Sequence, residues 1–152
     1  MAQYFFDTSA FAKYYHTELG SGRVNAIFAE SNRQIRVSSL GVLETQAVFA
    51  MKVRTGELHR KAAGTQRAMM MLDIAAGTIV VYGLRADHLA TAERLIGRYS
   101  FSRPLRTLDS LQLAIALDLS EYHLLDSFVV ADKRLSEVAS AEGLTVLNPE
   151  LP

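Results

Sequence analysis

The chain has 152 residues, of which 49% are hydrophobic and 21% charged. That excludes a disordered chain and suits one domain spanning residues 1–152. Its 16 Lys and Arg balance 16 Asp and Glu, which argues against a general nucleic-acid coat protein but leaves room for an enzyme that meets nucleic acid over one patch. No cysteine is present, so disulfides, zinc–cysteine sites, iron–sulfur clusters and thiol nucleophiles are ruled out.

No apolar run approaches the length of a membrane span. The opening Met1-Ala2-Gln3-Tyr4-Phe5-Phe6-Asp7 has no basic n-region and meets an acid too early for a signal peptide. The expectation is a soluble, cytoplasmic protein with no membrane partner.

In chain order, the first strand runs from Gln3 to Phe6, and a helix from Thr8 to His16 opens after Asp7. A second helix, Ser21 to Asn32, precedes a strand at Ile35 to Ser38. Helices at Leu40 to Arg54 and Leu58 to Ala75 end at Gly56 and Gly77, as glycine stops should. A strand at Thr78 to Tyr82, a helix at Arg85 to Tyr99 and a helix at Thr107 to Leu119 follow. The chain closes with a strand at Phe128 to Ala131, a helix at Lys133 to Glu142 and a strand at Thr145 to Leu147. Ile79-Val80-Val81 and Phe128-Val129-Val130 lack polar alternation, which predicts strands covered on both faces. Strands alternating with helices predict an α/β fold, a mostly parallel sheet with helices on both sides. Ligands of such sheets bind at the carboxyl ends of the strands.

Two acids stand on that edge. Asp7 follows the first strand and Asp132 the fourth. Glu44 interrupts a helical face of Leu40, Ala47, Val48 and Met51, at spacings of three and four. Asp109 lies in the first turn of its helix. Each has a second reading. Asp7 and Asp132 suit helix N-caps, Asp109 suits the positive end of a helix dipole, and Glu44 suits the margin of an apolar stripe. Read together, they are a carboxylate cluster that stays ionised only beside a cation. Oxygen ligands without His or Cys favour Mg²⁺ or Mn²⁺. One or two such ions stabilise the attacking and leaving oxygens of a phosphodiester, so metal-dependent phosphodiester hydrolysis is the reaction class expected.

The ordered set resembles PIN domains, and within them the VapC-type toxins of bacterial toxin–antitoxin pairs. The residues that carry the resemblance are Asp7-Thr8-Ser9 with Phe11 and Lys13, Glu44 in Ser38-Ser39-Leu40-Gly41-Val42-Leu43-Glu44, the segment Arg106-Thr107-Leu108-Asp109-Ser110-Leu111-Gln112-Leu113-Ala114, and Phe128-Val129-Val130-Ala131-Asp132-Lys133-Arg134-Leu135. The likeness covers nearly the whole chain. Two positions depart from the family pattern: Val130, where Thr or Ser is common, and Gln112, where His is common. The resemblance implies a PIN-like three-layer α/β/α fold with about five strands. It also implies an endoribonuclease needing Mg²⁺ or Mn²⁺, with Asp7, Glu44, Asp109 and Asp132 as metal-holding catalytic residues and Ser9 supporting the first acid. A homodimer, a small antitoxin whose tail enters the active-site groove, and a structured RNA target such as transfer or ribosomal RNA complete what it implies.

Lys13, Arg106, Lys133 and Arg134 would lie near the acids, as contacts for RNA phosphates or for an acidic antitoxin, or as a solvated helix start. His16, His59, His88 and His123 show no metal-ligand spacing and read as surface or partner-facing. Met69-Met70-Met71 suits a core or dimer face. Two other functions fit parts of the pattern. One is a catalytically degenerate PIN-like binding module. The other is a phosphatase or receiver-like domain with Asp7 as nucleophile, which would need a second acid where Ser9 stands.

Overall fold

The structure is a computed structural model that describes residues 1–152. Five strands and seven helices follow one another as β1 (Ala2–Phe6), α1 (Thr8–Tyr15), α2 (Ser21–Ala29), β2 (Arg33–Ser38), α3 (Ser39–Arg54), α4 (Arg60–Ala75), β3 (Ile79–Tyr82), α5 (Ala86–Tyr99), α6 (Thr107–Glu121), β4 (Ser127–Val129), α7 (Lys133–Ala141) and β5 (Val146–Leu147). Every element expected from apolar patterning forms, with its ends shifted by a few residues. Gly77 and Gly143 close α4 and α7 at φ values of 74° and 88°, a region that side chains with a Cβ disfavour.

The strands form one sheet in the order β3-β2-β1-β4-β5, and every pairing is parallel. β1 is central, so its alternating residues enter both cores. Phe5 faces α5, α6 and α7, where it stacks on Phe128 with ring centroids 5.4 Å apart. Phe6 faces α1, α2 and the α3–α4 pair, with Phe11, Phe28, Phe49 and Met70 around it. The result is the three-layer α/β/α arrangement. The order in which strands are added reverses between β1 and β4, and this switch point is where open parallel sheets hold ligands.

Two expectations about faces are corrected. β3 lies at the sheet edge, paired only with β2, and Val80 and Val81 are 38% and 37% exposed. An unbroken apolar run does not reveal strand order, so an edge strand passed for a covered one. The inward face of α3 is Gly41, Thr45, Phe49 and Lys52, rather than Leu40, Glu44, Ala47, Val48 and Met51. Met51 is 43% exposed. Lys52 enters because Glu18 and Glu57 meet its ammonium at 3.1 and 3.2 Å, which offsets the cost of burying the charge. The methionine triplet divides: Met70 is in the core and Met69 is outside.

Phe128→Ala removes a fully buried ring from the cross-strand stack on Phe5 and is expected to cost about 3–5 kcal/mol. Val80→Thr on the open edge is expected to stay within about 0.5 kcal/mol of the parent. Urea unfolding of the two variants measures the contrast.

Candidate functional site

Asp7 leaves β1 at the switch point, where its backbone N–H donates to the Val129 carbonyl at 3.0 Å. Three residues further along the neighbouring path, Asp132 opens α7. Both acids cap their helices, and each does so with one oxygen. Asp7 Oδ2 accepts from the Ser9 N–H at 3.1 Å and the Ser9 hydroxyl at 2.7 Å. Asp132 Oδ1 accepts from the N–H groups of Arg134 and Leu135 at 2.8 and 3.0 Å. Capping and cluster membership are therefore compatible.

Ser9 ties the two strand ends together. Its Oγ donates to Asp7 and accepts from the N–H groups of Ala131 and Asp132 at 3.1 and 3.3 Å. The short turn after β4 is fixed to α1 through this one hydroxyl.

Glu44 and Asp109 come from α3 and α6. Gln112 joins the two helices: its Nε2 donates to Glu44 Oε1 at 3.2 Å, and its Oε1 accepts from Ser38 Oγ at 2.7 Å. The same Nε2 lies 3.3 Å from Thr8 Oγ1. Ser38 also caps α3 by accepting from the Gly41 N–H at 2.7 Å. A Cβ at Gly41 would stand 3.2 Å from both Gln112 Nε2 and Ser38 Oγ, so glycine leaves the space this bridge needs. Gln112 is 1% exposed. The sequence marked it only as a departure from a pattern; its polar character on an otherwise apolar helix face was the available signal.

The electrostatics are those of crowded acids. Burial pushes the Asp7 carboxyl up, Ser9 opposes it through its hydroxyl and N–H, and the charge of Asp109 adds to the rise. Glu44 is also raised, first by burial and then by Asp7 and Asp109, against hydrogen bonds from Gln112 and Thr8. Asp7, Glu44 and Asp109 thus feel one another. Asp132 joins through Arg106, whose Nε meets Asp109 Oδ2 at 2.9 Å and whose Nη2 lies 3.8 Å from Asp132 Oδ2. No three of these four acids present oxygens all within 4.8 Å of one another. An oxygen-only, loosely spaced, anionic set fits a hard cation that keeps part of its water shell.

The expected cations are placed unequally. Arg106 is at the acids, and Lys133 and Arg134 begin α7 on the exposed surface. Lys13 is 5% exposed and bound to Glu18 and Glu150 at 3.1 and 2.7 Å, so it is not a free cation. His88 is a second correction, being 2% exposed. Its Nδ1 accepts from the Arg85 N–H at 3.0 Å, a partner that sequence spacing does not reveal.

Asp87, His88 and Asp118 do bring ligand atoms within 4.8 Å of one another, but chemistry argues against a metal there. Arg85 Nη2 already lies 2.8 Å from both Asp87 and Asp118. With Nδ1 accepting, neutral His88 carries its proton on Nε2 and has no lone pair to offer. That nitrogen faces Asp118 Oδ2 at 3.2 Å. Burial opposes ionisation of Asp118, yet hydrogen bonds from Arg85 and Tyr82 outweigh it and hold the carboxyl low. Arg85 and these hydrogen bonds already occupy the carboxylates of this cluster.

No protein-family model and no curated protein matches the chain. Solved structures do match. The VapC20 toxin of Mycobacterium tuberculosis, described as cleaving the sarcin–ricin loop, is 18% identical, with 97% of this chain and 98% of that chain covered and a TM-score of 0.67. FitAcB from Neisseria gonorrhoeae is 16% identical over 96% of this chain and 97% of that chain, with a TM-score of 0.61. VapBC2 of Rickettsia felis, bound to a promoter DNA fragment, is 14% identical over 95% and 97%, with a TM-score of 0.63. The chain has the PIN-like fold of these toxins.

A raised carboxyl pKa disfavours the folded state once the group ionises. Its penalty is absent below the unfolded pKa and grows as pH rises through the folded value. Without divalent ions, wild type is therefore expected to lose stability relative to Asp7→Asn as pH climbs above about 4. Asn keeps an acceptor for Ser9 and removes the charge. At pH 7 the variant should melt about 2–4 °C higher, the shift that ~1 kcal/mol produces in a chain of this size. Thermal melts in EDTA across pH 4–8 measure it.

Proposed function

We propose that the chain is a metal-dependent endoribonuclease and the toxin of a toxin–antitoxin pair. The observation that carries this reading is the convergence of Asp7, Glu44, Asp109 and Arg106-linked Asp132 at the switch point of a parallel sheet. The similar solved structures support it: one is a toxin described as cleaving the sarcin–ricin loop, and others are toxin–antitoxin assemblies. A structured RNA of the transfer or ribosomal class, a small antitoxin protein, a homodimeric state and a cytoplasmic location belong to the same reading. No helix is long and apolar enough to cross a membrane.

Asp7, Glu44, Asp109 and Asp132 would hold Mg²⁺ or Mn²⁺, directly or through water. The ion when bound supplies a Lewis acid for phosphoryl oxygen and a more acidic water. The reaction is hydrolysis, in which water oxygen bonds to phosphorus and a P–O bond to ribose breaks. Ser9 fixes the Asp7 carboxylate and Gln112 fixes that of Glu44. Arg106, with its side chain 74% exposed, offers a positive charge to a phosphate entering above Asp109 and Asp132.

Purified, antitoxin-free protein is expected to cut total cellular RNA into discrete fragments with Mg²⁺ or Mn²⁺, and to leave it intact in EDTA. Asp7→Asn and Asp109→Asn should fold and fail to cleave. An Asp109→Asn protein that cleaves at the wild-type rate would contradict the assignment. Gln112→Ala frees the Glu44 carboxylate and should lower the cleavage rate by about 10–100-fold.

A further inference from the structure

A cavity of about 920 Å³ opens between α7, β5 and the segment 148–152. Its walls carry Arg23 from α2, Arg103 from the α5–α6 loop and Lys133 at the start of α7, with the hydroxyls of Ser136 and Ser140. Glu137 is the one acidic side chain among its lining residues. Arg23 donates to the Leu151 carbonyl at 2.7 Å, while Arg103 and Lys133 have no ion-pair partner. On a chain of zero net charge, three cations against one acid make a local positive field.

This cavity adjoins the acids. Lys133 follows Asp132 directly, and Asn148 on the wall donates to the Ala131 carbonyl at 3.2 Å. Arg103 precedes Arg106, which reaches to 3.8 Å from Asp132, by three residues. On the same loop Phe101 is 95% exposed. An exposed aromatic ring two residues from a free arginine on one loop supplies the pairing that single-stranded nucleic acid uses: cations for phosphates, a ring face for an unpaired base.

We propose that this groove carries the single-stranded part of the RNA on one side of the cleaved bond, with Arg103, Lys133 and Arg23 neutralising phosphates and Phe101 stacking a base. The proposal rests on the ribonuclease reading and adds the path of the substrate. The serine hydroxyls suit phosphate and 2′-hydroxyl oxygens. Cleavage then requires an unpaired stretch next to the cut, since a base held in a duplex has no free face for Phe101.

The test is binding of a fluorescein-labelled oligouridine, read by anisotropy in EDTA so that cleavage does not intervene, from about 50 to 200 mM KCl. Arg103 and Lys133 make no ion pair within the fold, so Arg103→Gln with Lys133→Gln should leave the melting temperature unchanged. The pair should weaken binding at least tenfold and flatten the slope of log K against log salt by about 1.4, two cations at ~0.7 each. Phe101→Ser should weaken binding about tenfold with the slope unchanged. Arg67→Gln, on α4, is the control and should bind as wild type. Wild-type affinity and slope in both groove variants would overturn the proposal. So would displacement of the RNA by polyglutamate with indifference to Phe101→Ser, which would mark a site for acidic peptide. The two readings separate cleanly. Cleavage that needs Asp7 and Mg²⁺ but ignores the groove variants sinks the groove alone, whereas groove-dependent binding without any Asp7-dependent cleavage sinks the nuclease alone.

Discussion

A carboxylate 6% exposed at the end of the central strand is the constraint around which this molecule is arranged. Burying an acid costs several kcal/mol unless charge or hydrogen bonds compensate. Ser9 compensates in part, and the charge of Asp109 makes matters worse. The protein tolerates at this one edge what it avoids elsewhere. Lys13 and Lys52, its buried lysines, are each met by two carboxylates, and Asp118 is met by Arg85, Tyr82 and His88. Asp7 has no cation of its own within the chain. That asymmetry is the observation behind the proposed cation site.

The parallel sheet brings the acids together. β1 and β4 are neighbours across the point where strand order reverses, so the residues that follow them emerge side by side. Each of those residues is also the first acceptor of a helix, and one oxygen of each carboxylate satisfies that need. Helices α3 and α6 approach the same edge and add Glu44 and Asp109. The Ser38–Gln112–Glu44 chain fixes their relative position where hydrophobic contact alone would let two helices slide.

Elements and strand-end acids were legible because they depend on local periodicity and on punctuation by glycine. What was not legible depends on partners distant in sequence. The face of α3 was misjudged because the ion pairs of Lys52 with Glu18, which draw a charged residue inward, leave no trace in helical spacing. Lys13 looked like a free cation because Glu150, its partner at 2.7 Å, stands 137 positions away. His88 looked superficial because a backbone N–H, which has no residue letter, satisfies its ring. Val80 and Val81 looked covered because strand order is a property of the sheet and not of the strand. Gln112 was noticed only as a departure, and the structure makes it the link between the helices that carry Glu44 and Asp109.

Titration of thermal stability with Mg²⁺ or Mn²⁺ tests the proposed cation site at these acids without any assumption about RNA. An ion that binds only the folded state stabilises it by RT ln(1 + [L]/Kd), about 2.7 kcal/mol at a hundredfold excess over Kd. Wild type is predicted to show a saturable rise in melting temperature at pH 7. Asp7→Asn is predicted to show little or none, and Asp118→Asn, whose carboxylate is already held by Arg85 and Tyr82, is predicted to retain the rise. A wild-type melting temperature indifferent to both ions, or a rise that persists in full in Asp7→Asn, would rule out a cation site at these acids.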